Sequence, residues 1–159
     1  MPETHQKDSP GREWSVVGVT TLDAIRSVAA FPCDTFVLLL AADARDCSDQ
    51  TLREVGNHLL RAGARCVCTW GPDCERVHDA FDQAAHELGL NREGAVIMTT
   101  WHDGEPLTEA TWFAAVSAFP DEPYADADGA LVAIAVGSKE WEAEIHDYLQ
   151  AGTPIEDEI

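Results

Sequence analysis

Five short apolar runs, separated by segments with a helical repeat, constrain the fold of this chain more than any other feature. The runs are WSVVGVT, TFVLLLAA, RCVCTW, AVIMTTW and ALVAIAVG. Most are nearly continuous in apolar residues, as strands are when both faces of a parallel sheet are buried. Regular alternation of such strands with helices predicts a three-layer α/β domain. We expect it to be Rossmann-like or flavodoxin-like, with a mainly parallel sheet of four to five strands.

The segments between the runs carry apolar residues with a period near 3.6, which is typical of helices packed on a sheet. Ser48 and Ser138 stand where two of these helices should begin, and each is a candidate N-cap. Gly63 stands where the first of the two should end. The apolar stripe of the fourth helical segment consists of Trp112, Ala115, Val116 and Phe119.

The chain length of 159 residues predicts one domain. We expect residues 1–13 to be a disordered polar leader, residues 14–152 a single α/β domain and residues 153–159 an acidic tail. No apolar run is long enough to cross a bilayer, and the leader lacks the apolar stretch of a signal peptide. The five cysteines are then expected to be reduced thiols, and the protein to be cytoplasmic.

A formal net charge of −19, from 29 acids against 10 bases, restricts the partners of the chain. Such a field repels nucleic acids and anionic membrane surfaces over a Debye length. We therefore expect no nucleic acid and no membrane as partner. The expected partner is a small neutral or cationic molecule, or a basic protein. The acidity and the low lysine content also suit a high-salt cytoplasm, and they could equally reflect a GC-rich genome that favours Arg, Ala, Asp and Gly codons.

Ligands of open parallel α/β sheets bind beyond the carboxyl ends of the strands. Polar and aromatic residues that follow the predicted strands should therefore gather at one edge of the sheet. Glycine-rich phosphate-binding motifs and the G-x-S-x-G motif of hydrolases are missing from the sequence, so we predict no cofactor. The residues expected to bind a ligand at this edge are Asp43, Trp70, Asp73, Trp101 and Ser138.

Cys74 carries the strongest chemical signal, and its role has three interpretations. If Gly71 caps the next helix and Pro72 opens it, Cys74 lies in the first turn, where the helix dipole favours a thiolate nucleophile. The flanking acids Asp73 and Glu75 oppose a thiolate. Cys74 also extends the apolar stripe of its helix, as a packing residue would. As a metal ligand it lacks partners at common zinc spacings, so we predict no metal site.

His102 and Asp103 follow the fourth strand and supply a possible acid–base pair. A histidine side chain titrates near neutral pH, which suits general acid–base catalysis. In the catalytic hypothesis Cys74 is the nucleophile, His102 is the base and Asp103 orients the imidazole. The alternative is a solvated loop histidine beside acids that cap the next helix.

Trp70 and Trp101 each end an apolar run immediately before a polar turn. Tryptophans at two strand ends could form the wall of a pocket for a planar ligand or a sugar. They could equally close the end of the sheet without binding anything.

The segments TWGPDCERVHDAFD and TTWHDGEPL together resemble a small family of bacterial proteins known only as a domain of unknown function. The resemblance extends from Phe36 to Leu149. It implies a single domain, and it implies no activity.

These observations favour a domain that binds a small neutral or cationic molecule at the carboxyl edge of the sheet, with Cys/His chemistry as an added option. The alternative is a non-catalytic acidic module that binds a basic protein. The state of Cys74 distinguishes the two, because only an enzyme requires this thiol to be accessible and ionisable.

Overall fold

The computed structural model describes residues 12–28, 31 and 33–152. Most of the predicted leader and all of the predicted acidic tail, residues 153–159, lie outside the described residues. No helix in the described ranges is long and apolar enough to cross a membrane.

The five apolar runs form one five-stranded sheet in which every neighbouring pair is parallel. The predicted three-layer α/β fold is therefore confirmed. Along the sheet the strands follow the order β1-β5-β2-β3-β4. The strands are β1 (Glu13–Val19), β2 (Phe36–Ala41), β3 (Ala64–Trp70), β4 (Met98–His102) and β5 (Ala130–Val136).

The described residues also form four α-helices and three shorter helical segments. The α-helices are α1 (Asp49–Ala62), α2 (Cys74–Glu87), α3 (Leu107–Trp112) and α4 (Lys139–Gln150). The shorter segments are two 3₁₀ helices, Asp23–Ser27 and Glu122–Gly129, and a π-helical turn, Phe113–Ser117.

The two faces of the sheet bury separate apolar clusters. The first 3₁₀ helix, α1 and α2 cover one face, where Leu38 and Leu40 of β2 point. The helices α3 and α4 and the π-helical turn cover the other face, against Val37 and Leu39. Alternate side chains of β2 point to opposite faces of the sheet, and helices cover both faces. All residues of β2 are therefore buried.

The predicted caps of α1 and α4 are confirmed. The Ser48 hydroxyl accepts a hydrogen bond from the Thr51 N–H at 3.1 Å, and Ser138 accepts one from the Trp141 N–H at 3.1 Å. Gly63 ends α1 with a φ of 127°.

The start of α2 differs from the prediction, because Asp73 rather than Gly71 is the N-cap, with a left-handed φ of 67°. Gly71, with a φ of 116°, lies in the turn before it. A Cβ atom at Gly71 would lie 2.1 Å from the Ala42 carbonyl oxygen, so this turn packs directly against the chain that leaves β2.

The predicted stripe of α3 is out of phase by about one residue. The buried residues are Leu107, Ala110, Thr111, Ala114 and Ala115. Trp112 is only half-buried, and Phe119 is 59% exposed. Small side chains let this helix lie close to the sheet, and the large aromatic side chains are displaced to its flanks.

The connections leave the carboxyl edge of the sheet towards opposite faces at three boundaries between neighbouring strands. β1, β2 and β3 lead to helices on one face, whereas β4 and β5 lead to helices on the other. Crevices are therefore expected where β1 meets β5, where β5 meets β2 and where β3 meets β4.

Candidate functional site

The predicted site residues share the carboxyl edge of the sheet, because each one ends or follows a strand of an all-parallel sheet. The edge separates them into two groups. Asp43 and Ser138 lie at the β5–β2 crevice. The group at the β3–β4 crevice consists of Trp70, Asp73, Cys74, Trp101, His102 and Asp103.

Cys74 is the first residue of α2 and is 1% exposed. Its thiol pKa is raised, chiefly because burial penalises the thiolate. A hydrogen bond from the backbone of His102 lowers this pKa in part, whereas the negative charge of Asp103 raises it further. Cys74 therefore stays a protonated thiol at neutral pH, as a packing residue does.

The imidazole of His102 is buried and has partners other than Cys74. Its Nδ1 atom lies 3.2 Å from both carboxylate oxygens of Glu105, and its Nε2 atom lies 2.9 Å from the Thr100 hydroxyl. The ring packs against Phe113, with centroids 4.8 Å apart. The acid that orients His102 is thus Glu105, whereas the predicted Asp103 is exposed.

Thr100 and His102 are two residues apart on β4, so both side chains point to the face covered by α3. Cys74 opens α2, which covers the opposite face. The structure therefore gives the predicted nucleophile and the predicted base separate surroundings.

The sequence analysis did not predict a series of buried hydrogen bonds on the α3 face of the sheet. The Thr100 hydroxyl bonds to the thiol of Cys68 as well as to His102. Between His102 and its neighbours, one consistent assignment has the Thr100 hydroxyl donating to Nε2 of His102 and the Nδ1–H of His102 donating to Glu105. The spacing of two residues between Thr100 and His102 on β4 was the sequence feature that indicated a shared face.

The thiol of Cys68 is not an activated nucleophile. A hydrogen bond with Cys66 and complete burial both raise its pKa well above the ordinary value. Within the described part of the chain, no group of three or more His, Cys, Asp or Glu side chains could hold a metal ion.

The two tryptophans at the β3–β4 crevice have different surroundings. The Trp70 indole N–H donates to the Glu105 carbonyl oxygen at 2.8 Å, and its ring packs edge-on against Trp141. Trp70 therefore helps to close the end of the sheet. Trp101 is 45% exposed and presents its ring to solvent beside His78, with centroids 4.5 Å apart.

Two carboxylates contact His78, the ring that packs against Trp101. His78 Nδ1 lies 2.9 Å from Asp79, and His78 Nε2 lies 3.7 Å from Asp82. The Thr99 hydroxyl holds the second oxygen of Asp82 at 2.8 Å, which fixes this carboxylate between α2 and β4. Asp103 follows Trp101 by two residues. We name Trp101, His78, Asp79, Asp82 and Asp103 the Trp101 site.

The remaining predicted residues have local structural partners. Arg45 binds both carboxylate oxygens of Asp43, at 2.9 and 2.6 Å, and lowers the pKa of that carboxyl to about 2. Asp73 pairs with Arg76 at 2.9 Å. Ser138 caps α4. These contacts order the loops of the carboxyl edge.

The fold and the site define a three-layer α/β domain with an acidic, tryptophan-bearing carboxyl edge. The chain belongs to the family described as Domain of unknown function (DUF7684), whose model matches residues 17–151. The predicted resemblance to a family of unknown function is confirmed at that level. No curated protein matches the chain.

Proposed function

We propose that the chain binds a cationic group, a guanidinium or an ammonium, at the Trp101 site. The observation that carries this proposal is an exposed tryptophan ring packed against His78, which itself contacts the carboxylates of Asp79 and Asp82. A cation over the face of a tryptophan ring is attracted by its quadrupole, and neighbouring carboxylates add charge attraction.

The charge of the whole chain favours the same class of ligand. A net charge of −19 concentrates cations near the surface and repels anions. The cation could belong to a small organic molecule or to a side chain of a basic protein. Both sources present the same chemistry to the Trp101 site.

Catalysis by Cys74 has less support. A nucleophilic thiol must be accessible and ionisable, but burial raises the pKa of this thiol. The base proposed for it, His102, has both ring nitrogens occupied by Thr100 and Glu105. We also propose that binding takes place in the cytoplasm, since all five cysteines are free thiols.

The test is a titration with Nα-acetyl-arginine amide, called arginine amide below, followed by NMR of the indole N–H signals. Nα-acetyl-citrulline amide, called citrulline amide below, is the matched neutral ligand, because it keeps the shape of arginine and has neither the guanidinium nor an α-ammonium charge. We expect arginine amide to shift the Trp101 signal with a Kd on the order of millimolar, as suits one exposed cation–π contact. Citrulline amide should leave that signal unchanged.

Two variants complete the test. Trp101→Ala should abolish binding, which is followed on the backbone amide signals of β4 because this variant lacks the Trp101 indole signal. The double variant Asp79→Asn with Asp82→Asn should weaken binding several-fold. The control double variant Glu140→Gln with Glu144→Gln removes the same charge from exposed positions of α4. Equal weakening by both double variants would show a general charge effect and would contradict a local site.

A further inference from the structure

We infer that the cation at the Trp101 site belongs to an extended basic segment of a partner protein, which adds to the sheet as a strand along the free edge of β4. This inference rests on the proposed function and names the ligand of the same site. It specifies a protein partner and a backbone-mediated mode of binding.

β4 is an edge strand of the sheet, with β3 on one side. Among the residues that the structure describes, no strand pairs with its other side. One row of backbone donors and acceptors of Met98–His102 is thus available to another chain. Natural sheets usually protect such edges, whereas strand-binding domains use them to recognise extended peptides.

The surroundings of this edge are apolar to a degree unusual for an acidic surface. Val96, Met98 and Trp101 are 40%, 42% and 45% exposed, and they are three of the four large apolar side chains exposed among the described residues. Met98 and Trp101 are three residues apart, so they point to opposite faces of the strand. An added strand would meet a different surface on each of its faces.

The acids around β4 define the chemistry of the added strand. Asp79 and Asp82 contact His78, which packs against Trp101. Glu105 binds His102, and Asp121 accepts a hydrogen bond from the Val96 N–H at 3.1 Å. Arg92 is the one arginine or lysine in the segment 88–106. A matching segment therefore alternates basic residues, which face Trp101 and its carboxylates, with apolar residues, which face Met98.

Charge complementarity selects this occupant over two others. A second copy of the chain would bring one net charge of −19 against another. The segment of residues 1–11 contains Glu3 and Asp8 against one lysine, Lys7, and so has no excess of basic side chains. A basic segment of another protein fits the edge better than either.

The probe is an acetylated, amidated octapeptide of alternating arginine and valine. The matched control peptide has the same sequence with N-methyl groups on alternate backbone amides, which removes strand donors and keeps the charge. We expect the first peptide to bind at least ten-fold more tightly than arginine amide. It should also protect amides of β4 from hydrogen exchange, and the methylated peptide should lose at least ten-fold in affinity.

Met98→Arg places a positive charge on the free edge without changing the Trp101 site. We expect it to weaken the octapeptide at least ten-fold while arginine amide binds as before. The control Gln150→Arg adds the same charge at an exposed position of α4. It should have little effect on either ligand.

The outcomes separate this inference from the proposed function. If arginine amide binds at Trp101 but the octapeptide binds no more tightly, strand addition is wrong and the cation site stands. If neither ligand binds, both proposals are wrong. Strand addition by another protein is also wrong if sedimentation shows a dimer that Met98→Arg dissociates. Strand addition by another protein is likewise wrong if the octapeptide binds β4 only after residues 1–11 are removed, because that segment would then be the natural occupant of the edge.

Discussion

At the scale of single residues, the sequence predicted where Cys74 lies in its helix. It did not predict which acidic residue binds His102. Cys74 lies in the first turn of a helix, as the Gly-Pro pair suggested. The acid that binds His102 is Glu105 because the chain reverses at Gly104, where φ is 76°. No spacing rule distinguishes Glu105 from Asp103 before that turn is known, since both are near His102 in sequence.

The state of Cys74 gives the first prediction. Burial raises the pKa of its thiol, so iodoacetamide should label it slowly at neutral pH, at least ten-fold slower than in the urea-unfolded chain. Mass spectrometry of the labelled peptide measures the rate. Since His102 binds Thr100 and Glu105, the His102→Asn variant should label Cys74 at the same rate. An apparent pKa below 7 that rises in this variant would restore the catalytic hypothesis.

The pair formed by Asp43 and Arg45 gives the second prediction. Hydrogen bonds from Arg45 lower the pKa of the Asp43 carboxyl to about 2, below its ordinary value near 3.9. The stability that this carboxylate contributes is therefore present above about pH 4 and is lost as the pH falls through about 2. In Arg45→Gln, a carbon-13 NMR titration should show this pKa close to the ordinary value. Arg92→Gln is the control, and an unchanged Asp43 titration in Arg45→Gln would contradict the assignment.

At the scale of secondary structure, hydrophobic periodicity predicted the strands and the helices α1, α2 and α4. It failed at α3 because the pattern was read from large residues, Trp112 and Phe119, whereas the buried face consists mainly of alanine and threonine. Small residues carry little hydrophobic signal, although they permit the closest packing. The π-helical turn that follows α3 shifts the register again, and sequence patterns do not show it.

The turn between β3 and α2 gives the third prediction. In Gly71→Ala, the added Cβ would lie 2.1 Å from the Ala42 carbonyl oxygen at a φ of 116°. The backbone conformation alone costs roughly 1–3 kcal/mol, and the contact with a fixed backbone atom adds to it. Gly89→Ala is the control, because its φ of 75° is also positive but no atom lies within 4 Å. Urea unfolding should show a larger loss for Gly71→Ala, and equal losses would mean that the contact with Ala42 does not matter.

At the scale of the whole molecule, the alternation of strands and helices predicted the layers, and the strand order required the structure. β5 lies between β1 and β2, where it pairs with both. The position of β5 between β1 and β2 cannot be read from the sequence pattern, because all three strands are similar apolar runs. The strand order nonetheless decides the function proposed here, since it leaves β4 at an edge with Trp101 exposed.

Net charge gives the last prediction, which concerns fold and binding together. Self-repulsion in a chain of net charge −19 opposes the compact state, and salt screens it over a Debye length that falls from about 30 Å at 0.01 M to about 3 Å at 1 M. The melting temperature should therefore rise from low to molar potassium chloride, by about 2–4 °C for each kcal/mol of repulsion relieved. Sucrose, which stabilises by exclusion from the surface without screening, is the control. The same salt should weaken arginine amide binding at Trp101, because that attraction is screened as well. A melting temperature that does not respond to salt would show that the acids are compensated one by one. Binding that does not respond would show that the carboxylates around Trp101 do not recognise the cation.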